Sequence, residues 1–371
     1  MPFFATAAKG TEGAVRDELR EHRFRGVRAT RGGVSFDGGI DEGHRACLVL
    51  RTPVRILGQA ARFTASTGEA LYDGARAIEW EEHVSPKTTI AVRATCRSSA
   101  LTHTQFIAQK TKDAIVDRLR DRLGSRPSVD LDDPDVAVFV HLVKDEATVY
   151  LDLGGRPLHL RGWRLDAGAA PLKENLAACL VGLSGWDRRA DFLDPMCGSG
   201  TLAIEAALRA ARVAPGLAAA PFGFTRWASF TDDHRRDWDA LVERARADVV
   251  PTSARPVVRA SDRDATVLVA ARANAERAGA TIVVERASID RLADPDAAWV
   301  VVNPPYGERL ELEEEDARRI GRALGSMRRA HRAVLAGSPQ ILQAIPARPA
   351  KLYPIMNGDL ECRFALYPPA R

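Results

Sequence analysis

The chain has 371 residues, of which 46% are apolar and 27% charged, with a formal net charge of +4. Such a length exceeds ordinary single-domain size and predicts two or three domains with separate cores, in a globular rather than disordered or membrane-embedded protein. No run approaches the roughly 20 apolar residues that span a bilayer, and "MPFFATAAKG" lacks a basic segment followed by an apolar one, so a cytoplasmic protein is expected.

In chain order, "FFATA", a helix over Glu12 to Glu21, "GGVSFDG", "TTIAVRAT", a helix over Gln105 to Leu123, and a hairpin of "VAVFVHLV" and "ATVYLDL" joined at Lys144-Asp145-Glu146 make an α+β first part. Its charge is uneven. Between Pro86 and Arg126 nine bases, among them Arg93, Arg97, Lys110 and Lys112, face three acids, and from Arg16 to Arg31 six arginines face Asp17, Glu18 and Glu21. Such clusters read either as solvated helix faces or as a surface for a polyanion, because phosphate neutralisation supplies most non-specific nucleic-acid affinity. On the second reading Arg93, Arg97, Lys110 and Lys112 are the candidate RNA contacts.

"GGRPLHLRGWRLDAGAAP" reads as a connection. Beyond it the pattern becomes strand, loop, helix, as a parallel sheet requires. "ADFLD" leads into a glycine-rich turn and a helix over Leu202 to Arg212; "PVVRASD" leads into a helix over Ala265 to Ala278, closed by Gly279; "TIVVERASID" and "AWVVVNPPY" follow. Residues 213–254 interrupt this alternation as an insertion, helical in its second half.

Ligands of open α/β sheets bind at the carboxyl ends of the strands, and the unusual residues sit there. In "DPMCGSGT", Gly198 and Gly200 let the backbone turn tightly ahead of a helix N-terminus, while Asp194 suits a ligand bearing an ammonium or hydroxyls. The spacing is neither a dinucleotide fingerprint nor a P-loop. Asp262 ends the next strand, where a carboxylate can accept two ribose hydroxyls; Asp264 fits a helix cap; Asp290 ends the third and can accept from an adenine amine. In "VVNPPYGERL", Pro304 and Pro305 stiffen the backbone, so that the Asn303 side chain and the Pro304 carbonyl are two fixed acceptors for a planar amine. Tyr306 offers a face for stacking a base. The five cysteines (Cys47, Cys96, Cys179, Cys197, Cys362) have no C-x-x-C spacing and read as reduced thiols, and no metal site is expected.

"DPMCGSGTLAIEAA" with "NPPYGERL" resembles the class I S-adenosylmethionine-dependent methyltransferases of amino groups. "FFATAAKGTEGAVRDEL", "YLDLGGRPLHLRGWR", "APLKENLAACLV" and "NGDLECRFALY" narrow the resemblance to bacterial 23S rRNA guanine-N2 methyltransferases with a THUMP domain. The resemblance implies a ferredoxin-like region over 1–65 interleaved with a THUMP domain over 66–158. A linker and a Rossmann-like methyltransferase domain with a mostly parallel seven-stranded sheet would occupy 159–371. It also implies that Lys173, Glu174 and Asn175 close over the cofactor. Asp194, Pro195, Cys197, Gly198, Gly200 and Thr201 would line its methionine end, Asp262 and Arg263 its ribose, and Asp290 its adenine. Asn303, Pro304, Pro305 and Tyr306 would hold the target guanine, and Asn303 would also touch the cofactor. Cys197 and Cys362 are not expected to be nucleophiles, since direct transfer needs no covalent enzyme intermediate. Longer members carry a second methyltransferase domain, so a second modification is not expected. A tRNA substrate, or a THUMP-type assembly protein without activity, are the alternatives; the oligomeric state is open.

Overall fold

The β-branched runs before residue 160 pair into one eight-stranded sheet in the computed structural model, which describes residues 2–165, 172–219, 221–292, 298–305 and 313–370. Its strands are β1 (Pro2–Thr6), β2 (Arg25–Thr30), β3 (Gly33–Asp37), β4 (Ile56–Thr64), β5 (Thr89–Arg97), β6 (Ser128–Val129), β7 (Val136–Val143) and β8 (Glu146–Asp152), in the order β2-β3-β1-β4-β8-β7-β5-β6. Helices α1 (Glu12–Glu21), α2 (Ile40–Val49), α3 (Gly68–Arg76) and α4 (Thr104–Leu123) accompany them. β4 takes β1 on one side, Ala5 opposite Ile56, and β8 on the other, from Leu57 opposite Asp152 to Thr64 opposite Glu146. One strand thus belongs to both halves of this sheet. Lys144 and Asp145 join β7 to β8 with φ of 52° and 61°, the left-handed pair that a two-residue hairpin turn demands.

The second sheet runs β11-β10-β9-β12-β13-β15-β14. Helix α5 (Glu174–Leu183) precedes β9 (Phe192–Asp194) and α6 (Thr201–Ala210); after the insertion, whose second half is α7 (Asp232–Ala247), come β10 (Val258–Asp262), α8 (Ala265–Ala278), β11 (Val283–Arg286) and β12 (Trp299–Val302). Then follow α9 (Glu314–Ser326), β13 (His331–Ala336), α10 (Pro339–Ala344), and the hairpin β14 (Lys351–Asn357) and β15 (Leu360–Tyr367). β9 to β13 are mutually parallel and β15 is antiparallel to both neighbours, giving the mostly parallel seven-stranded sheet expected. α8 is capped as expected: the Asp264 side chain accepts from the Thr266 N–H, and Gly279 ends the helix at φ 62°.

The insertion is a wedge rather than an appendage. Phe222, Phe224 and Trp227 are buried in the core of the first sheet. At the same seam Gly155 and Gly223 face each other so closely that a Cβ on either would stand 2.8 to 2.9 Å from the other's Cα. A buried set of charges completes the junction. Glu205 of α6, 1% exposed, accepts from Arg161 Nε at 2.8 Å and from Arg51 Nη1 at 3.4 Å. Arg51 Nη2 donates to the Val213 carbonyl at 2.8 Å, and Glu18 of α1 accepts from the Arg51 and Thr52 N–H groups at 3.1 and 2.9 Å. Removing one member of such a group leaves an uncompensated buried charge. Glu205→Ala is expected to destabilise the folded chain by about 3–5 kcal/mol, read from urea denaturation; a loss below about 1 kcal/mol would show that the group carries little.

Candidate active site

The carboxyl ends of β9, β10 and β12 bring the site together. Because Ala260 lies opposite Asp194 and Val300 opposite Leu193 in parallel register, Asp194, Asp262 and Asn303 emerge from adjacent strands at one end of the sheet. The loop between β9 and α6 is held over this end by its backbone. The Cys197 N–H donates to the Ser261 carbonyl at 2.9 Å, and the Gly200 N–H to the Cys197 carbonyl at 2.8 Å. Gly198 and Gly200 stand at φ 52° and 86°, which L side chains rarely adopt, and Gly200 begins α6 as its N-cap.

Asp262 orients the loop as well as facing the cleft. Its Oδ2 accepts from the Gly198 N–H and its Oδ1 from the Asp264 N–H, both at 3.0 Å, so each oxygen keeps a lone pair for a further donor. Asp194 is 2% exposed, and among the described residues its side chain accepts one hydrogen bond, from the Met196 N–H at 3.3 Å. Burial foremost, and then the Asp262 charge, push its carboxyl up to about 8 against the pull of that N–H. A buried carboxylate this poorly compensated is suited to a cation. Pro195 and Thr201 are buried in the same loop, and Arg263 is exposed. The Cys197 thiol is pushed well above its ordinary range by burial and by the neighbouring Asp194 and Asp262, which fits its expected lack of nucleophilicity.

At the end of β12, Asn303 Oδ1 is buried and, among the described residues, has no hydrogen-bond partner. Pro304 is buried and Pro305 half-buried beside it. Tyr306 lies outside the described residues. Asp290 sits in a single helical turn after β11, and its Oδ2 meets the Arg319 guanidinium and the Ser288 hydroxyl. Sequence reasoning missed Asn274, a fully buried amide of α8 whose Nδ2 donates to the Ser199 carbonyl at 3.1 Å and so pins the glycine loop. The one available signal was a polar residue on the otherwise apolar, buried face of the helix, with Leu268, Ala271 and Ala275.

Lys173, Glu174 and Asn175 stand at the start of α5. Glu174 is buried against Arg164 Nη2 at 3.2 Å, and Asn175 Nδ2 donates to the Thr52 carbonyl at 3.4 Å. Lys173 and Asn175 line a cavity of about 310 Å³ with Lys9, His159 and the β14–β15 turn; Asp194, Gly198 and Asp262 are not in its lining. A larger cavity of about 780 Å³ lies between β4, α3 and the insertion and contains none of the strand-end residues. Of the candidate RNA contacts, Arg93 and Arg97 are exposed on β5 and Arg93 donates to the Leu131 carbonyl at 2.9 Å. Lys110 stands 5.5 Å from the Tyr72 ring centre, and Lys112 pairs with Asp113 at 2.9 Å.

Three families match the chain: "RMKL-like, methyltransferase domain" over residues 161–365, "THUMP domain" over 65–152, and "RlmL ferredoxin-like domain" over 2–57. The ribosomal RNA large subunit methyltransferase K/L of Syntrophotalea carbinolica is 43% identical over 98% of this chain and 53% of its own length. The chain thus spans about half the length of the curated relatives it matches. Among solved structures, the methyltransferase SMU.472 complexed with SAH superposes with a TM-score of 0.89 at 28% identity, covering 100% of this chain and 98% of that one. A methylase from Listeria monocytogenes, described as N6-adenine-specific for DNA, superposes at 0.87 with 28% identity, covering 100% and 96%.

A neutral, buried Asp194 has a stability consequence whose sign follows from its raised value. The folded protein holds this proton up to about pH 8 while the unfolded chain releases it near 3.8. The stabilisation is therefore complete below about pH 4 and is lost as pH rises through 8, by up to about 1.4 kcal/mol per pH unit. Urea denaturation of the ligand-free protein at pH 6, 7 and 8 should show Asp194→Asn declining less than the wild type. Equal declines would mean that Asp194 is ionised in the fold.

Proposed function

The chain belongs to the RMKL-like methyltransferase family, and from that membership we propose that it methylates the exocyclic N2 of a guanine in RNA, with 23S ribosomal RNA as the substrate and S-adenosylmethionine as the donor. The observation that carries this reading is the buried Oδ1 of Asn303, without a partner among the described residues, next to the strand that ends in Asp194. An acceptor in that condition costs free energy until a donor arrives, and an amino group with two N–H bonds is a donor of the right shape. Asn303 Oδ1 and the Pro304 carbonyl accept those two protons, which turns the nitrogen lone pair toward the cleft. Tyr306, two residues after Pro304 in the sequence, would supply the stacking face.

The cofactor fits the residues present. Asp194, buried and short of donors, would hold its ammonium; the Gly198–Gly200 backbone would lie along its methionine end; Asp262 would take its ribose hydroxyls through the free lone pairs. When bound, S-adenosylmethionine supplies an electrophilic methyl group. Lys173, Glu174 and Asn175 are assigned to the wall that closes over it, and Asp290 to its adenine in competition with Arg319. The parts over 1–65 and 66–158 would hold RNA while 159–371 does the chemistry, in the cytoplasm where ribosomes are assembled. No described helix is long and apolar enough to cross a membrane.

Asp262→Ala removes the ribose acceptor and also frees the Gly198 N–H. Affinity for S-adenosylhomocysteine by calorimetry should fall by about 1–3 kcal/mol, and an unchanged affinity in a folded variant would take Asp262 out of the site. Asn303→Ala should bind cofactor and RNA nearly as the wild type does and lose about 10²-fold or more in single-turnover rate, the mark of an interaction needed chiefly in the transition state. Digestion of the labelled 23S RNA and mass spectrometry should place the methyl on guanine N2. Label on adenine, on a pyrimidine carbon, or on tRNA alone would refute the proposed substrate.

A further inference from the structure

A group of cations that the chemistry leaves unused lies along one edge of the larger sheet. β2 closes that sheet, hydrogen-bonded to β3 alone, and Arg20, Arg23, Arg25, Arg28 and Arg31, before, along and after it, are all exposed. None of the five is ion-paired among the described residues. The nearby acids are committed elsewhere: Asp17 to Arg16, Glu21 to Arg188 and Arg209, Glu42 to Arg45. Asp37 lies opposite Arg25 in the ladder without forming a salt bridge to it. The THUMP helix α4 is the reverse case. There Lys112 pairs with Asp113, Arg118 with Glu81 and Arg120 with Asp117, while Asp121 takes Arg76 from α3.

This edge also leads somewhere. The turn from β2 to β3 is tied to the loop after β1, the Ala7 N–H donating to the Gly32 carbonyl at 2.8 Å and the Glu12 carboxylate accepting from Gly32 and Gly10 N–H groups at 3.1 and 2.8 Å. That loop rests on β14, where the Met356 N–H donates to the Lys9 carbonyl at 3.0 Å. The register from β12 through β13 and the antiparallel β15 and β14 puts the β14–β15 turn at the same end of the second sheet as Asn303. Lys9 and Lys173, neither of them ion-paired among the described residues, then line the junction cavity. A line of free positive charge therefore runs along β2, a span of about 20 Å, across Lys9 to the catalytic end of the methyltransferase sheet.

We infer that this edge is a track for the phosphodiester backbone of the RNA substrate, separate from the β5 face of the THUMP domain; the inference rests on the RNA reading above. Guanidiniums repeated along an exposed strand suit a run of successive phosphates on one RNA backbone. Unpaired guanidiniums on an exposed strand form charge-assisted bonds to phosphate without first breaking a salt bridge. The competing role for charge on an edge strand is to block pairing with another sheet, and that role needs no RNA.

The test uses the full chain, a fluorescent 23S RNA transcript and anisotropy at 50 to 200 mM NaCl. Arg25→Gln/Arg28→Gln/Arg31→Gln should bind the transcript about 10- to 100-fold more weakly and lower the slope of log K against log salt by about 2 to 3. Its affinity for S-adenosylhomocysteine by calorimetry should match the wild type, and the corresponding triple lysine variant should recover most of the RNA affinity. A wild type that binds and methylates the transcript while the glutamine variant equals it in affinity and slope overturns this inference alone. A wild type that binds S-adenosylhomocysteine but no RNA overturns the functional reading together with it. Loss of binding to phosphatidylserine vesicles in the glutamine variant, with RNA affinity unchanged, overturns it in favour of a membrane surface.

Discussion

Two carboxylates and two guanidiniums, Glu18, Arg51, Glu205 and Arg161, meet out of water where the two sheets join, and the placing of the catalytic end depends on them. Glu205 belongs to the helix that begins at the glycine loop, so whatever fixes Glu205 fixes that loop. Arg161 reaches it from the connecting segment and also donates to the Arg51 carbonyl at 2.6 Å. Burial lowers the Arg51 guanidinium from its usual range, but a group that starts so high remains charged. Charges this far from water are stable only as a complete set, and the geometry at the seam is correspondingly specific. A hydrophobic seam would tolerate sliding.

The active end uses the opposite arrangement. The Asp194 carboxyl and Asn303 Oδ1 are buried and, among the described residues, short of partners, on adjacent parallel strands, while the glycine loop beside them is pinned through its backbone. Rigid walls with unsatisfied acceptors make a site that is organised for donors before any arrive. Asp262 links the two halves of this arrangement, since the carboxylate that faces the cleft also holds Gly198 in its left-handed turn.

Much of this was legible in the sequence, and the reasons differ by element. α8 was readable to the residue because Asp264 and Gly279 are both terminus signals of known physics. The strand ends were readable because β-branched runs stopped at acids, glycines or prolines. β2 was not: its burial pattern is almost wholly exposed, so it has no apolar alternation, and it is a strand because β3 offers it a ladder. The place of β4 between both halves was also hidden, since having β1 on one side and β8 on the other leaves no mark in its own residues. Within the site, Asp194, Asp262 and Asn303 followed from position at strand ends. The Arg319 pairing of Asp290 and the Asn274 anchor depend on contacts made by distant segments, which no local pattern encodes.

The facing glycines at the seam between the insertion and the first sheet bear on how this chain can drift over generations. Substitution at Gly155 is blocked by the backbone of Gly223, and substitution at Gly223 by the backbone of Gly155. In most tight contacts a larger residue on one side is tolerated once its neighbour has shrunk, so the pair wanders together. Here neither partner has anything left to give up. The two positions are locked without compensation, and descendants that alter either must move the wedge itself, together with Phe222 and Phe224 beneath it, before any new side chain fits.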